Sequence, residues 1–201
     1  MSQQLTHRGP FYFSAILLSS LLLSACANQR LAPPDLTAGF PLSSNSLGET
    51  RNAQQHLVGH YSAHRFTKDK SQAQKHEMLA LIEATPDVIT LVGMSGLGNR
   101  ILTIRLSGED FTVDRSPLLP AQLDAFYVLR DIQFCFWPEQ ALRDKLEPNG
   151  WRIETTPNSR AFYKKNQLIT QVQYEGATPW SGKVHYTDKI MGYTLDINPL
   201  D

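Results

Sequence analysis

The chain has 201 residues, 41% of them hydrophobic, with 19 Lys and Arg balanced by 19 Asp and Glu. Zero net charge and no clustered basic run exclude the electrostatic footprint of a nucleic-acid binder, and only two cysteines exclude a disulfide-built scaffold. The length suits one domain with a core of its own, plus a tail.

At the N-terminus, His7 and Arg8 precede an apolar run from Phe11 to Leu23 that closes on Ser24 and Ala25. A charged n-region, an apolar h-region and small residues at the end read as a secretory signal. The run falls short of the ~20 apolar residues that a membrane span needs. Leu23-Ser24-Ala25-Cys26 resembles the lipobox of bacterial lipoproteins. The resemblance implies that residues 1–25 are removed and that Cys26 carries palmitate-class acyl chains on its sulfur and its new N-terminus. Each buried methylene of such a chain contributes ~0.8 kcal/mol to membrane binding. Ala27, rather than Asp, follows the Cys; in enterobacterial lipoproteins this resembles an outer-membrane address, with the domain on the periplasmic face. Removing residues 1–25, which hold one basic residue and no acid, leaves 176 residues and a formal charge of −1. With Cys26 lipidated, Cys135 has no intramolecular disulfide partner, so core packing must hold the fold.

Residues 26–52 read as the lipidated N-terminus and a flexible tether. Pro33, Pro34 and Pro41 remove backbone donors, Ser43, Ser44 and Ser46 bring little apolar surface, and no hydrophobic period survives. A coil of ~25 residues would span roughly 25–30 Å. Residues 53–201 form the domain. Strands are expected over 55–67 and 72–84, joined around Lys68-Asp69-Lys70, then over 88–94, 101–106 and 111–114. Five more follow over 151–155, 160–164, 168–174, 183–187 and 193–197. Their short separators argue for antiparallel neighbours, because a parallel pair needs a crossover of a dozen or more residues. Between the two sets, Pro120 suits a helix N1 position, with Leu123, Phe126, Tyr127 and Arg130 at helical spacing. Leu129, Ile132, Phe134, Phe136 and Trp137 make this helix apolar on more than one side, and Pro138 ends it and can open a second, through Leu142 and Leu146. Apolar residues on both faces of several strands (Ile89 and Leu91 beside Val88 and Val92) fit either a helix-on-sheet core or a concave sheet enclosing a ligand.

This order resembles the LolA/LolB-like fold, an antiparallel half-barrel covered by one or two mid-chain helices, mainly β with a helical lid (α+β). The carrying features are the N-terminal anchor, the strand–loop–strand around Ser95-Gly96-Leu97-Gly98, the helices with Pro138 and the C-terminal meander. More closely, the stretch Gly93 to Leu102 and Phe136-Trp137-Pro138 resemble an uncharacterised outer-membrane lipoprotein family, often encoded beside aryl-polyene or related type II fatty-acid-synthase-like clusters. The resemblance implies binding or acceptance of a hydrophobic cargo, an acylated or polyene-bearing lipid or lipoprotein, with a LolA-like periplasmic carrier as donor. It also implies a cavity and lid built from Phe126, Leu129, Phe136 and Trp137. In LolB-type proteins a Leu-Gly pair at this strand connection protrudes toward the membrane. Leu97-Gly98 matches it, with Met94 as a second apolar contact and Gly96 where that family has Pro. The alternative is a structural or assembly lipoprotein with a closed core and a protein partner.

Enzymatic readings fare poorly. His56, His60 and His64 recur every four residues, but on a strand that spacing spans ~13 Å at ~3.3 Å per residue, too far to share an ion with ~2 Å bonds. Gly93-Met94-Ser95-Gly96-Leu97 departs from the nucleophile elbow G-x-S-x-G at its last position, and joins strand to strand. The glycines from Gly93 to Gly98 lack the Lys-Ser/Thr of a phosphate loop. Cys135, among Phe134, Phe136 and Trp137, sits where an apolar setting makes a thiol inert. The expectation is a binding protein without cofactor or metal.

Overall fold

The computed structural model describes residues 35–61, 74–119 and 123–200. The signal segment, Cys26, His64, Lys68-Asp69-Lys70 and Pro120 therefore lie outside the described residues. Residues 35–201 make one compact unit. In it, β1 (Arg51–Tyr61), β2 (Gln74–Ala84), β3 (Val88–Met94), β4 (Arg100–Ser107) and β5 (Asp110–Arg115) meander to one edge of a sheet. The chain then forms α1 (Ala125–Phe136) and α2 (Glu139–Leu146). From the opposite edge, β6 (Trp151–Thr156), β7 (Ser159–Lys164), β8 (Gln167–Tyr174), β9 (Val184–Asp188) and β10 (Tyr193–Leu200) return to the middle. There β10 pairs with β1, Leu57 opposite Ile197. All ten described strands pair antiparallel in the order β5-β4-β3-β2-β1-β10-β9-β8-β7-β6. The fold is thus α+β: an open, half-barrel-like antiparallel sheet with two helices packed on it. The sequence expectation for the fold class holds, and the reason is connectivity. Short links join β2 to β5 and β6 to β8 in sequence, while the helical stretch connects the two strands at opposite edges and so lies across one face.

Register sorts that face row by row. Ile82, Leu91 and Ile104 face one another across β2, β3 and β4, and Ala80, Gly93 and Leu102 form the next row. All six are buried, whereas the alternate residues of β3 are half-buried. A Cβ on Gly93 would stand 2.8 Å from the Met78 sulfur and 3.3 Å from Leu102 Cβ, so a side chain here would have to displace the Met78 thioether.

The helices start and stop for local reasons. Asp124 caps α1, its Oδ1 accepting the Phe126 N–H at 2.9 Å, so the helix begins at Ala125 and not at Pro120 as the spacing suggested. Trp137 turns extended ahead of Pro138 and ends it. On α2, Arg143 bridges Glu139 and Glu147 one turn either side.

The tether expected over 26–52 does not hold from Asp35 onward. Residues 35–50 pack on the domain as a strap, with Leu36, Leu42 and Leu47 in the core. The Phe40 ring meets Phe134 edge-on at 4.9 Å. The buried Gln133 carboxamide accepts the Leu42 N–H at 2.9 Å and donates to the Leu42 carbonyl at 2.7 Å. Trp151 donates to the Ala38 carbonyl and Trp137 to Ser46 Oγ, each at 2.8 Å. Four large apolar side chains and a set of satisfied backbone groups outweigh the Pro/Ser composition that suggested a free coil. Among the described residues no helix is long and apolar enough to cross a membrane.

Candidate functional site

Between α1 and the middle of the sheet lies a cavity of about 520 Å³. Helix α1 turns Tyr127, Val128, Asp131 and Ile132 into it, a stripe at i, i+1, i+4 and i+5. Opposite stand Leu57 and Tyr61 of β1, Met78 of β2, and Tyr193, Leu195 and Ile197 of β10. Leu118, Leu119 and Leu123, from the connection before α1, add a further apolar wall with Ile101. Gly59 has a local role: a Cβ there would stand 2.9 Å from Tyr61 Cε2 and 3.3 Å from Leu195 Cδ2, so glycine lets the Tyr61 ring lie over its own strand. A volume of this size, mostly apolar walls and a few convergent polar groups are the ordinary features of a small-molecule site.

The polar groups gather around Asp131. Its Oδ1 accepts from Arg130 Nη2 at 2.8 Å, from Arg130 Nε at 3.1 Å and from the Tyr186 hydroxyl at 2.6 Å. Its Oδ2 accepts from the Tyr193 hydroxyl. Arg130, 0% exposed, also donates from Nη2 to Asp188 Oδ2 at 2.7 Å. Asp188 Oδ1 in turn accepts the N–H groups of Ile190 and Met191 at 2.8 and 2.6 Å. The Tyr127 ring covers the guanidinium, its centroid 4.5 Å from Cζ. One guanidinium is thus shared by two carboxylates. Burial pushes Asp131 above the usual carboxylate range, against the opposing pull of Arg130 and the two tyrosine hydroxyls. Burial and the neighbouring Asp131 charge push Tyr186 and Tyr193 well above the usual phenol range, and Tyr61 up to about 12.

The structure redistributes the residues singled out from sequence. Of Phe126, Leu129, Phe136 and Trp137, none lines the cavity. Leu129 is core. Phe136 stacks on Trp180 at 4.2 Å, Trp137 is tied to the strap through Ser46, and Phe126 lies edge-on to Phe111 of β5, 6.4 Å between ring centroids. The helix is rotated so that its 127/128/131/132 stripe, and not the more aromatic sides, meets the open space. Leu97 is 89% exposed. It tips a turn in which Ser95 and Asn99 are linked backbone to backbone at 2.8 Å and Gly98 takes φ 79°. Met94 alternates with the inward Gly93 and pairs with Leu79 of β2, so it falls on the opposite face of the sheet from Gly93. Leu118 is likewise exposed, at 72%, and lies at the cavity wall, as does Ser95 of the Leu97 turn. Sequence reasoning missed Leu118, Tyr193 and Asp131; the one available signal was a charged pair, Arg130-Asp131, inside an otherwise apolar helix.

His56 pairs with Glu77 at 3.4 Å, and among the described residues no three His, Cys, Asp or Glu side chains gather as a metal site. Cys135 is buried, and burial raises its thiol well above the usual range.

Residues 52–201 match the family described as "Protein of unknown function (DUF3261)". The chain belongs to this family. Its members are uncharacterised, in keeping with the pattern met in the sequence. No curated protein matches the chain. Among solved structures, this DUF3261 chain is similar to a DUF1329 family protein from Desulfovibrio piger ATCC 29098, at 10% identity and a TM-score of 0.35 over 84% of this chain and 92% of that one.

Proposed function

We propose that the protein is a lipoprotein of the outer membrane, anchored through Cys26 with its domain toward the periplasm, that holds a hydrophobic cargo beneath α1. The observation that carries this reading is the apolar cavity between α1 and strands β1, β2 and β10, which a sheet packed shut by its helices would lack. The cargo is an acylated or polyene-bearing lipid, or the acyl chains of a lipoprotein, received from a LolA-like carrier. The lipobox-like N-terminus and the likeness to LolB-type and aryl-polyene-associated lipoproteins favour that class. Binding and release suffice for such a role, so no catalysis is assigned. Leu97 and Leu118, both exposed, with Leu118 on the cavity wall and Leu97 in the turn that Ser95 opens, are the proposed membrane contacts during transfer.

Co-purification tests the cargo. Residues 27–201 contain the whole compact unit and its core, and lipid extracts of that protein, analysed by mass spectrometry beside a non-binding control, should hold reproducible acyl or polyene species. Their absence, together with no binding of the uncharged fluorophore N-phenyl-1-naphthylamine, would favour the closed-core assembly protein instead.

A further inference from the structure

The charges around the cavity are one-sided. None of its lining residues is Lys or Arg, whereas Glu77, Asp124 and Asp131 all contribute to the wall. Two of these carboxylates are engaged elsewhere: Glu77 pairs with Lys75 at 2.5 Å and with His56, and Asp124 caps α1. Asp131 is the one held within the buried cluster. The nearby cations stand off the cavity wall. Arg130 is shared, through Nε and Nη2, between Asp131 and Asp188 and lies under the Tyr127 ring; its Nη1 is buried without a hydrogen-bond partner, and the residue does not line the cavity. Arg115 donates to the carbonyls of Leu123 and Leu119 at 2.6 and 3.3 Å. One guanidinium against two carboxylates leaves the Arg130–Asp131–Asp188 cluster with an excess of negative charge. A carboxylate offers about four lone-pair positions; Oδ1 of Asp131 receives three donor contacts, but Oδ2 receives only the Tyr193 hydroxyl. The cluster can therefore accept one more hydrogen bond from the cavity side, and the cavity wall holds no Lys or Arg to receive an incoming anion.

On the reading that this cavity is the ligand site, we infer that it selects an amphiphile whose polar end is uncharged or cationic and donates a hydrogen bond, and that it rejects anionic ends such as a free carboxylate or a phosphate. The chains fill the Leu57–Ile132–Leu195 space, and an amine, amide or hydroxyl meets Asp131 and Tyr193. A neutral acyl amide, whose N–H can donate to Asp131, meets this requirement, whereas an ionised free fatty acid does not.

The test uses residues 27–201 and displacement of N-phenyl-1-naphthylamine at neutral pH by three ligands of one chain length: decylammonium, decanol and decanoate. Decanoate should need a concentration about tenfold higher than either of the others, because a like charge in a poorly screened site is penalised. Asp131→Asn should narrow the gap. Should that variant fail to fold, Val128→Lys serves instead: it sets a cation on a half-buried helical position of the wall, and decanoate should then become the best of the three. Equal displacement by all three ligands, or a preference for decanoate in the parent protein, would overturn this inference and leave the cavity reading intact. No binding of the fluorophore, and no displacement by any ligand, would overturn both.

Discussion

Two adjacent positions on α1 should respond in opposite ways to the same substitution. Val128 lines the cavity and is half-buried, while its neighbour Leu129 is fully buried in the core and does not line it. A buried Trp covers about 200 Å², and if that is roughly 100 Å² more than Val covers, the gain is about 2.5 kcal/mol at ~25 cal/mol per Å². Helix propensity barely enters, since Trp and Val rank together. Val128→Trp should therefore keep or raise stability, by up to about 2 kcal/mol, or about 4–8 °C in Tm for a unit of this size, while reducing N-phenyl-1-naphthylamine binding. Leu129→Trp has no space to enter, and should lose ~1–3 kcal/mol through overpacking. Urea unfolding monitored by circular dichroism, together with fluorophore titration, reads both. If Val128→Trp destabilises as much as Leu129→Trp, the space under α1 is not available to a ligand. If it folds and still binds the fluorophore fully, binding takes place elsewhere.

Gln133→Leu removes both hydrogen bonds to Leu42 and leaves its buried N–H and carbonyl without partners; it should cost about 2–5 kcal/mol and open residues 35–50 to limited proteolysis, and parent-like stability and resistance would contradict the strap. Leu97→Glu changes a side chain that touches little, so stability should stay within ~0.5 kcal/mol while liposome association weakens; unfolding, or undiminished association, would reject the exposed-contact reading. At high pH, Cys135, Tyr186 and Tyr193 hold their protons in the folded state beyond the ordinary values of 9.0 and 10.0. The unfolded chain releases those protons first, so stability is full below about pH 9 and falls as pH rises above it. Unfolding curves collected from pH 8 to 11 should show that decline; stability that stays constant across that range would contradict it.

Much of the sheet is legible in the sequence because its pairings are local. Ile82, Leu91 and Ile104 fall in register through short turns, and β-branched runs bounded by glycine mark those strands. The pairing of Leu57 with Ile197 is not legible, since nothing near either residue encodes a partner at the other end of the chain. The strap escaped because its apolar residues, Leu36, Phe40, Leu42 and Leu47, follow no helical or strand period; they bind through a helix side chain, Gln133, that looks like a surface residue in isolation. The cavity was anticipated in kind and misplaced in detail. A helix apolar all round conceals which stripe is core, and only packing of the Phe136–Trp180 and Trp137–Ser46 sides fixes the rotation that leaves Val128 and Asp131 to the open space. Asp131 and Asp188 meet on Arg130 across a long stretch of chain, so no spacing rule could have joined them.

Photoreactive leucine gives the most direct test of the central claim, because it replaces leucine with little change of shape. Cells expressing the full chain would be grown with the diazirine analogue and irradiated, and the purified protein digested to locate lipid-mass adducts. Leu57 and Leu195 lie side by side on the sheet wall of the cavity, whereas Leu142 and Leu146 are packed in the core. The account predicts acyl- or polyene-mass adducts on peptides carrying Leu57 and Leu195 and none on those carrying Leu142 or Leu146. Adducts confined to the exposed Leu97 and Leu118, with Leu57 and Leu195 unmodified, would contradict it.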